Sequence, residues 1–156
     1  MLSVIASGLF AQDLYKIRVD RKEGFINEKG AVIIPNSFDK AYDFQEGLAK
    51  IKNGSRYGFI DKSGKIIVSA KYSKASVFSE GLSAVKNNDQ WFFIDKTGVK
   101  KIDVVCNFAY PFHEGLARIQ VGNLFGFINT AGVIVIKPQF DGAYDFSEGK
   151  ARVKKG

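Results

Sequence analysis

Apolar and polar positions alternate along this chain in short runs, and each run is cut by Gly, Asn or Ser. Leu48–Asn53 puts Ala49 and Ile51 on one side and Lys50 and Lys52 on the other, the period-two pattern of a strand. Asn53-Gly54 then marks a hairpin turn, and residues 57–61 return as a second strand. Lys62-Ser63-Gly64 is a tight turn, with Gly64 where a positive φ is needed. Residues 65–69 form a third strand. Residues 70–79 cross over with Tyr72, Ala75 and Phe78 facing inward, and Glu80-Gly81 starts the cycle again. The apolar runs are too short for helices of about ten or more residues, and they are rich in Ile, Val, Phe and Tyr. The unit is expected to be a three-stranded antiparallel meander followed by a crossover.

The unit repeats. Glu46-Gly47, Glu80-Gly81, Glu114-Gly115 and Glu148-Gly149 recur every 34 residues, with Phe44, Phe78, Phe112 and Phe146 two positions earlier. Ala41, Ala75, Ala109 and Ala143 keep the same interval, as do the pairs Phe25-Ile26, Phe59-Ile60, Phe93-Ile94 and Phe127-Ile128. Residues 14–156 therefore divide into units 14–47, 48–81, 82–115 and 116–149, with a partial fifth at 150–156, as though further repeats follow. One such unit cannot cover its own apolar side, so neighbours must shield each other. The fold class expected is all-β, with tandem repeats of short antiparallel strands forming a β-solenoid or superhelical array. A partial propeller is the alternative, with four strands to a blade if the crossover supplies one.

Composition narrows the function. Of 156 residues, 46% are hydrophobic and 25% charged, so the chain is not a disordered tail. The net charge of +7 favours anionic partners, although solubility alone also accounts for such a surplus. One cysteine, Cys106, allows no internal disulfide, and with His113 as the single histidine a zinc site is not expected. Residues 1–13 read either as the remnant of a signal peptide, with Ala11 at a cleavage point, or as an apolar segment packed on the first unit. The first reading implies export to the periplasm, cell surface or medium, the second a cytoplasmic protein. No run of apolar residues is long enough to span a bilayer.

The segment Tyr57-Gly58-Phe59-Ile60-Asp61-Lys62-Ser63-Gly64-Lys65, preceded by Phe44-Gln45-Glu46-Gly47-Leu48-Ala49, resembles the bacterial WG-repeat family, also called KWG repeats. The resemblance runs from Leu14 onward. Tyr57-Gly58 and Phe125-Gly126 replace the Trp-Gly pair, Glu23-Gly24 loses the aromatic, and Trp91 is followed by Phe92. The resemblance implies a repeat protein, often exported, without an established catalytic activity.

Four sets of recurring residues are candidates for chemistry. Glu46, Glu80, Glu114 and Glu148 could line up as cation ligands. Each lacks a fixed acidic neighbour for calcium, and the structural reading is a Glu that accepts backbone N–H bonds beside a Gly turn. Asp61 and Asp95 share a slot with Asn27 and Asn129, an interchange that suits a turn and not a general base. Tyr57, Trp91 and Phe125 share a slot that is either an aromatic rail for sugars or bases, or core. Lys16, Lys50, Arg118 and Arg152 hold one basic slot, broken by Ala84. Arg18, Lys52, Lys86 and Lys154 hold the slot two further on, broken by Gln120, so stacked strands would carry a basic stripe. His113 reads as a surface polar residue and Cys106 as a small buried hydrophobe.

The expectation is a non-catalytic repeat scaffold for protein–protein or cell-surface contact, with no cofactor and no metal. Its partner is an unknown protein or an anionic polymer. The alternatives are a polyanion or envelope-glycan binder that uses the basic stripe, and an accessory array of a longer enzyme.

Overall fold

The computed structural model describes residues 13–156, so the apolar segment at 1–11 lies outside the described residues. Every regular element described is a strand and every pairing is antiparallel. The first sheet is β1 (Tyr15–Val19), β2 (Lys22–Ile26) and β3 (Val32–Phe38). The second is β4 (Lys40–Gln45), β5 (Leu48–Asn53), β6 (Arg56–Asp61) and β7 (Ile66–Tyr72). The third is β8 (Lys74–Ala75), β9 (Leu82–Asn87), β10 (Gln90–Asp95) and β11 (Lys100–Val104). The fourth is β12 (Phe108–His113), β13 (Leu116–Val121), β14 (Leu124–Asn129) and β15 (Ile134–Phe140). Last come β16 (Gly142–Ala143) and β17 (Val153–Lys154), paired with each other. The chain is a tandem all-β array, and none of these sheets closes on itself.

One expectation needs correction. The crossover is not a bare connection. Its first residues extend the third strand, as far as Phe38 in β3 and Tyr72 in β7. The residues after them form β4, β8, β12 and β16, which pair with the first strand of the following unit. Each central sheet is thus a four-stranded meander that straddles a unit boundary. In β4 the register slips between Ala41 and Phe44, so both can face inward although they lie three residues apart.

Both faces of a sheet are used. Ala49, Ile51 and Ile60 of the second sheet pack on Phe25, Ile34 and Phe38 of the first. The opposite face, with Phe59, Val68 and Tyr72, meets Val85 and Ile94 of the third. Trp91, Phe93 and Ile102 of the third sheet then meet Ala117, Ile119 and Ile128 of the fourth. An aromatic pair sits in each of these interfaces. Phe25–Phe44, Phe59–Phe78 and Phe93–Phe112 all have centroids 4.8 Å apart. Phe127–Phe146 repeats the contact at 5.0 Å. Phe25, Phe59, Phe93 and Phe127 are fully buried, and each contributes ~1.5–3 kcal/mol by transfer alone.

The turns key into this stack. Gly64, Gly98 and Gly132 have φ near +80°, and a Cβ on them would press on Ile34, Val68 and Ile102 of the sheet before. The third sheet departs from the pattern at its outer strand. In the others, a bulge in β3, β7 or β15 brings Phe38, Tyr72 and Phe140 opposite residues 23, 57 and 125. In the third, Trp91 pairs with Val104 and Phe93 with Ile102, with no slip between them.

Candidate interaction surface

The Glu-Gly turns form a ladder. Glu46, Glu80, Glu114 and Glu148 have φ between 50° and 54°, an uncommon choice for a side chain with a Cβ. Each following Gly is also at positive φ, which makes a tight hairpin turn. A Glu46 oxygen accepts from the Gly81 amide at 2.9 Å, and Glu80 from the Gly115 amide at 2.9 Å. Glu114 accepts from the Glu148 and Gly149 amides at 2.7 and 2.8 Å. Burial pushes the Glu46 carboxyl up, but the Gly81 amide and Lys96 outweigh it and leave it below its ordinary value. Glu46, Glu80 and Glu114 thus bind the backbone of the next unit.

The Asp/Asn slot is equally committed. Asp61 accepts from the Ser63 amide and hydroxyl and from the Lys65 amide, and Asp95 from the corresponding groups of Thr97 and Val99. Asn27 and Asn129 accept the same pair of backbone bonds through their side-chain oxygens. The Ser63 and Thr97 hydroxyls are the largest cause holding the two aspartates below the usual carboxylate range.

The first basic slot lies on a ring where the matching position offers one, inward for Lys50 and Arg118 and at the surface for Arg152. Lys50 donates to the Ala75 carbonyl at 2.9 Å, with its Nζ 4.2 Å from the Tyr42 centroid. Arg118 donates to the Ala143 carbonyl and stacks 3.9 Å over Tyr110. Arg152 lies 3.9 Å over Tyr144. Where the slot holds Ala84, the ring position holds Ser76, whose hydroxyl accepts from the Ala84 amide at 2.9 Å. Cation and ring are present together or absent together in these units. Lys16 pairs with Asp43 at 3.1 Å at the exposed start of the array.

The second slot stays at the surface. Lys52 and Lys86 are half-buried, while Arg18 and Lys154 are exposed. Lys86 reaches Asp89 at 2.9 Å. The crossover strands add cations that the sequence pattern did not single out: Lys40 is the cross-strand partner of Lys52, and Lys74 of Lys86. In the fourth sheet the same two positions are Phe108 and Gln120. The stripe is therefore doubled in the second and third sheets and lost in the fourth.

The aromatic slot divides. Trp91 is 6% exposed, donates Nε1–H to the Asn107 carbonyl at 2.8 Å, and lies 5.9 Å from Phe108. Phe125 is half-buried, 6.4 Å from Tyr110, and Tyr57 is half-buried beside Lys50 and Lys52. Cys106 is half-buried off the ladder, its thiol pushed up to about 11 by burial. With Asp89, Gln90, Trp91 and Asp103 it lines an open cleft of about 310 Å³. His113 is half-exposed and 3.8 Å from Asp145. Among the described residues no His/Cys/Asp/Glu group is arranged to hold a metal ion, and no helix is long and apolar enough to cross a membrane.

The family model for the WG containing repeat matches residues 24–57, 57–91, 91–125 and 125–156. This chain belongs to the WG-repeat family. No curated protein matches it. In this WG-repeat chain the Gly of the family motif has a visible task. A Cβ on Gly24, Gly58 or Gly126 would stand 2.4–2.5 Å from the carbonyl oxygen of Ile34, Val68 or Ile136, where the bulged outer strand presses in.

Proposed function

We propose that this WG-repeat protein is a non-catalytic scaffold that holds a macromolecular partner against the side chains that differ from unit to unit. One observation supports this above the others. The polar residues that recur, Glu46, Glu80, Glu114, Asp61 and Asp95, are engaged with the array's own backbone. That leaves recognition to the unit-specific surface, including Lys40, Lys74 and the 96%-exposed Val105. Export to the cell surface or medium belongs to the same reading and rests on the apolar run at residues 2–11.

The test is site-specific photocrosslinking in cells that express the protein. A crosslinking residue placed at Lys40, Lys74 or Val105 should give discrete high-mass adducts, while one placed at Glu46 or Asp61 should give none. Adducts from none of the five positions would overturn the scaffold reading. A second reading, binding of a polyanion or envelope glycan, is favoured by the opposed lysines of the second and third sheets. Affinity for a heparin probe would then fall steeply between low and physiological salt. A flat salt profile removes that reading and leaves the first intact.

A further inference from the structure

Three ammonium groups converge on two tyrosines in the second sheet. Lys40 and Lys52 are direct cross-strand partners, so they share a face, and like charges in that relation are unfavourable. Lys50 lies two residues from Lys52 on the same face of β5. The Lys50 ammonium is 4.2 Å from the Tyr42 centroid and 5.5 Å from that of Tyr57. Lys40 is 5.2 Å from the first ring and Lys52 is 5.7 Å from the second. Burial first, and then the charge of Lys40, lowers the pKa of Lys50.

The nearby carboxylates are spoken for. Asp39 binds Lys22 at 2.7 Å and the Gly54 amide at 2.6 Å, Glu23 accepts from the Ala41 amide at 2.6 Å, and Asp43 holds Lys16. No carboxylate among the described residues lies within ion-pair distance of Lys40, Lys50 or Lys52. The arrangement is not repeated among the other described units. In the next sheet the five positions hold Lys74, Ser76, Ala84, Lys86 and Trp91. In the fourth they hold Phe108, Tyr110, Arg118, Gln120 and Phe125. Three cations with two rings occur together only in the second sheet among the described units.

We infer that Lys40, Lys50 and Lys52, shelved on Tyr42 and Tyr57, form a discrete site for one tetrahedral oxyanion, a phosphate or sulfate ester carried by the partner. Lys50 already donates to the Ala75 carbonyl, yet with Lys40 and Lys52 the cluster still holds three positive charges. Against these a carboxylate brings one charge and two oxygens. A phosphate or sulfate offers three or more acceptor oxygens, and a phosphate monoester carries close to two charges. This inference rests on the polyanion reading, although its test does not require the natural partner.

The probes are inorganic phosphate and inorganic sulfate, titrated into the protein against sodium chloride of equal ionic strength and followed by NMR of the lysine side chains. Saturable shifts at Lys40 and Lys52, absent with chloride, are expected. Phosphate alone producing them assigns a phosphoryl ligand, and sulfate producing them equally assigns the shared oxyanion chemistry. Lys40→Gln and Lys52→Gln should each weaken binding by about tenfold or more, as loss of a charge-assisted bond requires. Lys137→Gln, on the fourth sheet, should leave it unchanged. Shifts matched by chloride, or variants that bind as tightly as the parent, would overturn the site. The salt profile of heparin affinity reports separately on the polyanion reading: a steep profile with no oxyanion shifts at Lys40 and Lys52 would overturn the site and leave that reading standing.

Discussion

The second and third sheets share a 34-residue pattern yet finish differently at the outer strand. In the second, Gly58 leaves room for the backbone of residues 68–70 to press to within 2.5–2.8 Å of where a Cβ would sit. The strand bulges, and Tyr72 comes opposite Tyr57 at 3% exposure. In the third, Phe92 occupies that position, and its own Cβ forbids the approach. Two residues that would have been taken up in a bulge are pushed into the link to β12. Val105 consequently stands 96% exposed and Cys106 leaves the ladder, opening the cleft beside Trp91. One side chain in place of a glycine thus converts a closed strand edge into an irregular, unit-specific surface.

Four experiments press on that contrast. The largest effect concerns what the two sheets share. Phe59→Ala and Phe93→Ala should each cost about 3–5 kcal/mol in urea denaturation, because both rings sit in inter-sheet cores. A much cheaper Phe93→Ala would mean that the third sheet is loosely packed as well as irregular. Next, Gly58→Ala should cost about 1–3 kcal/mol, because its methyl group meets backbone that cannot give way. The converse, Phe92→Gly, should let the bulge form, moving cross-strand NOEs from Trp91–Val104 to Trp91–Cys106. Unmoved NOEs would place the cause in residues 100–106 instead.

A smaller effect belongs to the cation slot. Arg118→Ala should lower stability by about 1–2 kcal/mol, since it removes a carbonyl bond and a ring contact that the third sheet, with Ala84 and Ser76, does without. Arg152→Ala, over the exposed Tyr144, should cost less. Matching losses would show that burial of the guanidinium adds nothing.

The last effect is acid sensitivity. The pKa values of Asp61 and Asp95 are depressed, so their contribution is complete above the unfolded carboxylate range near ~4 and is lost as pH falls through the lower folded values. Asn27 and Asn129 do not titrate. Amide protection at Lys65 and Val99 should therefore decline below about pH 4, while that at Ala31 and Val133 holds. Parallel decline at all four would point to global unfolding.

The repeat and its strand class were legible because Gly, Phe and Glu positions recur without insertion and the apolar runs keep a period of two. The fourth strand was not legible. Ala41 and Phe44 both face inward from three residues apart, which breaks alternation and makes residues 40–45 read as a connection. The destination of the first basic slot was hidden too, because the Lys50 acceptor, Ala75, lies 25 residues away in the following sheet and offers only its backbone. The pairing of Lys40 with Lys52 depends on that unread strand. A signal was present all the same: Tyr42, Tyr110 and Tyr144 accompany Lys50, Arg118 and Arg152, and Ser76 accompanies Ala84.

The carboxylate ladder also constrains how such a chain can change length. Each turn from Glu80-Gly81 onward borrows its anchor from the turn 34 residues earlier, so a duplicated or deleted module meets the same contacts at its new borders. Adding a single residue inside a module would displace one rung from the next while the sheets stayed stacked. Copy number can drift in whole modules, and the spacing within a module is quantised.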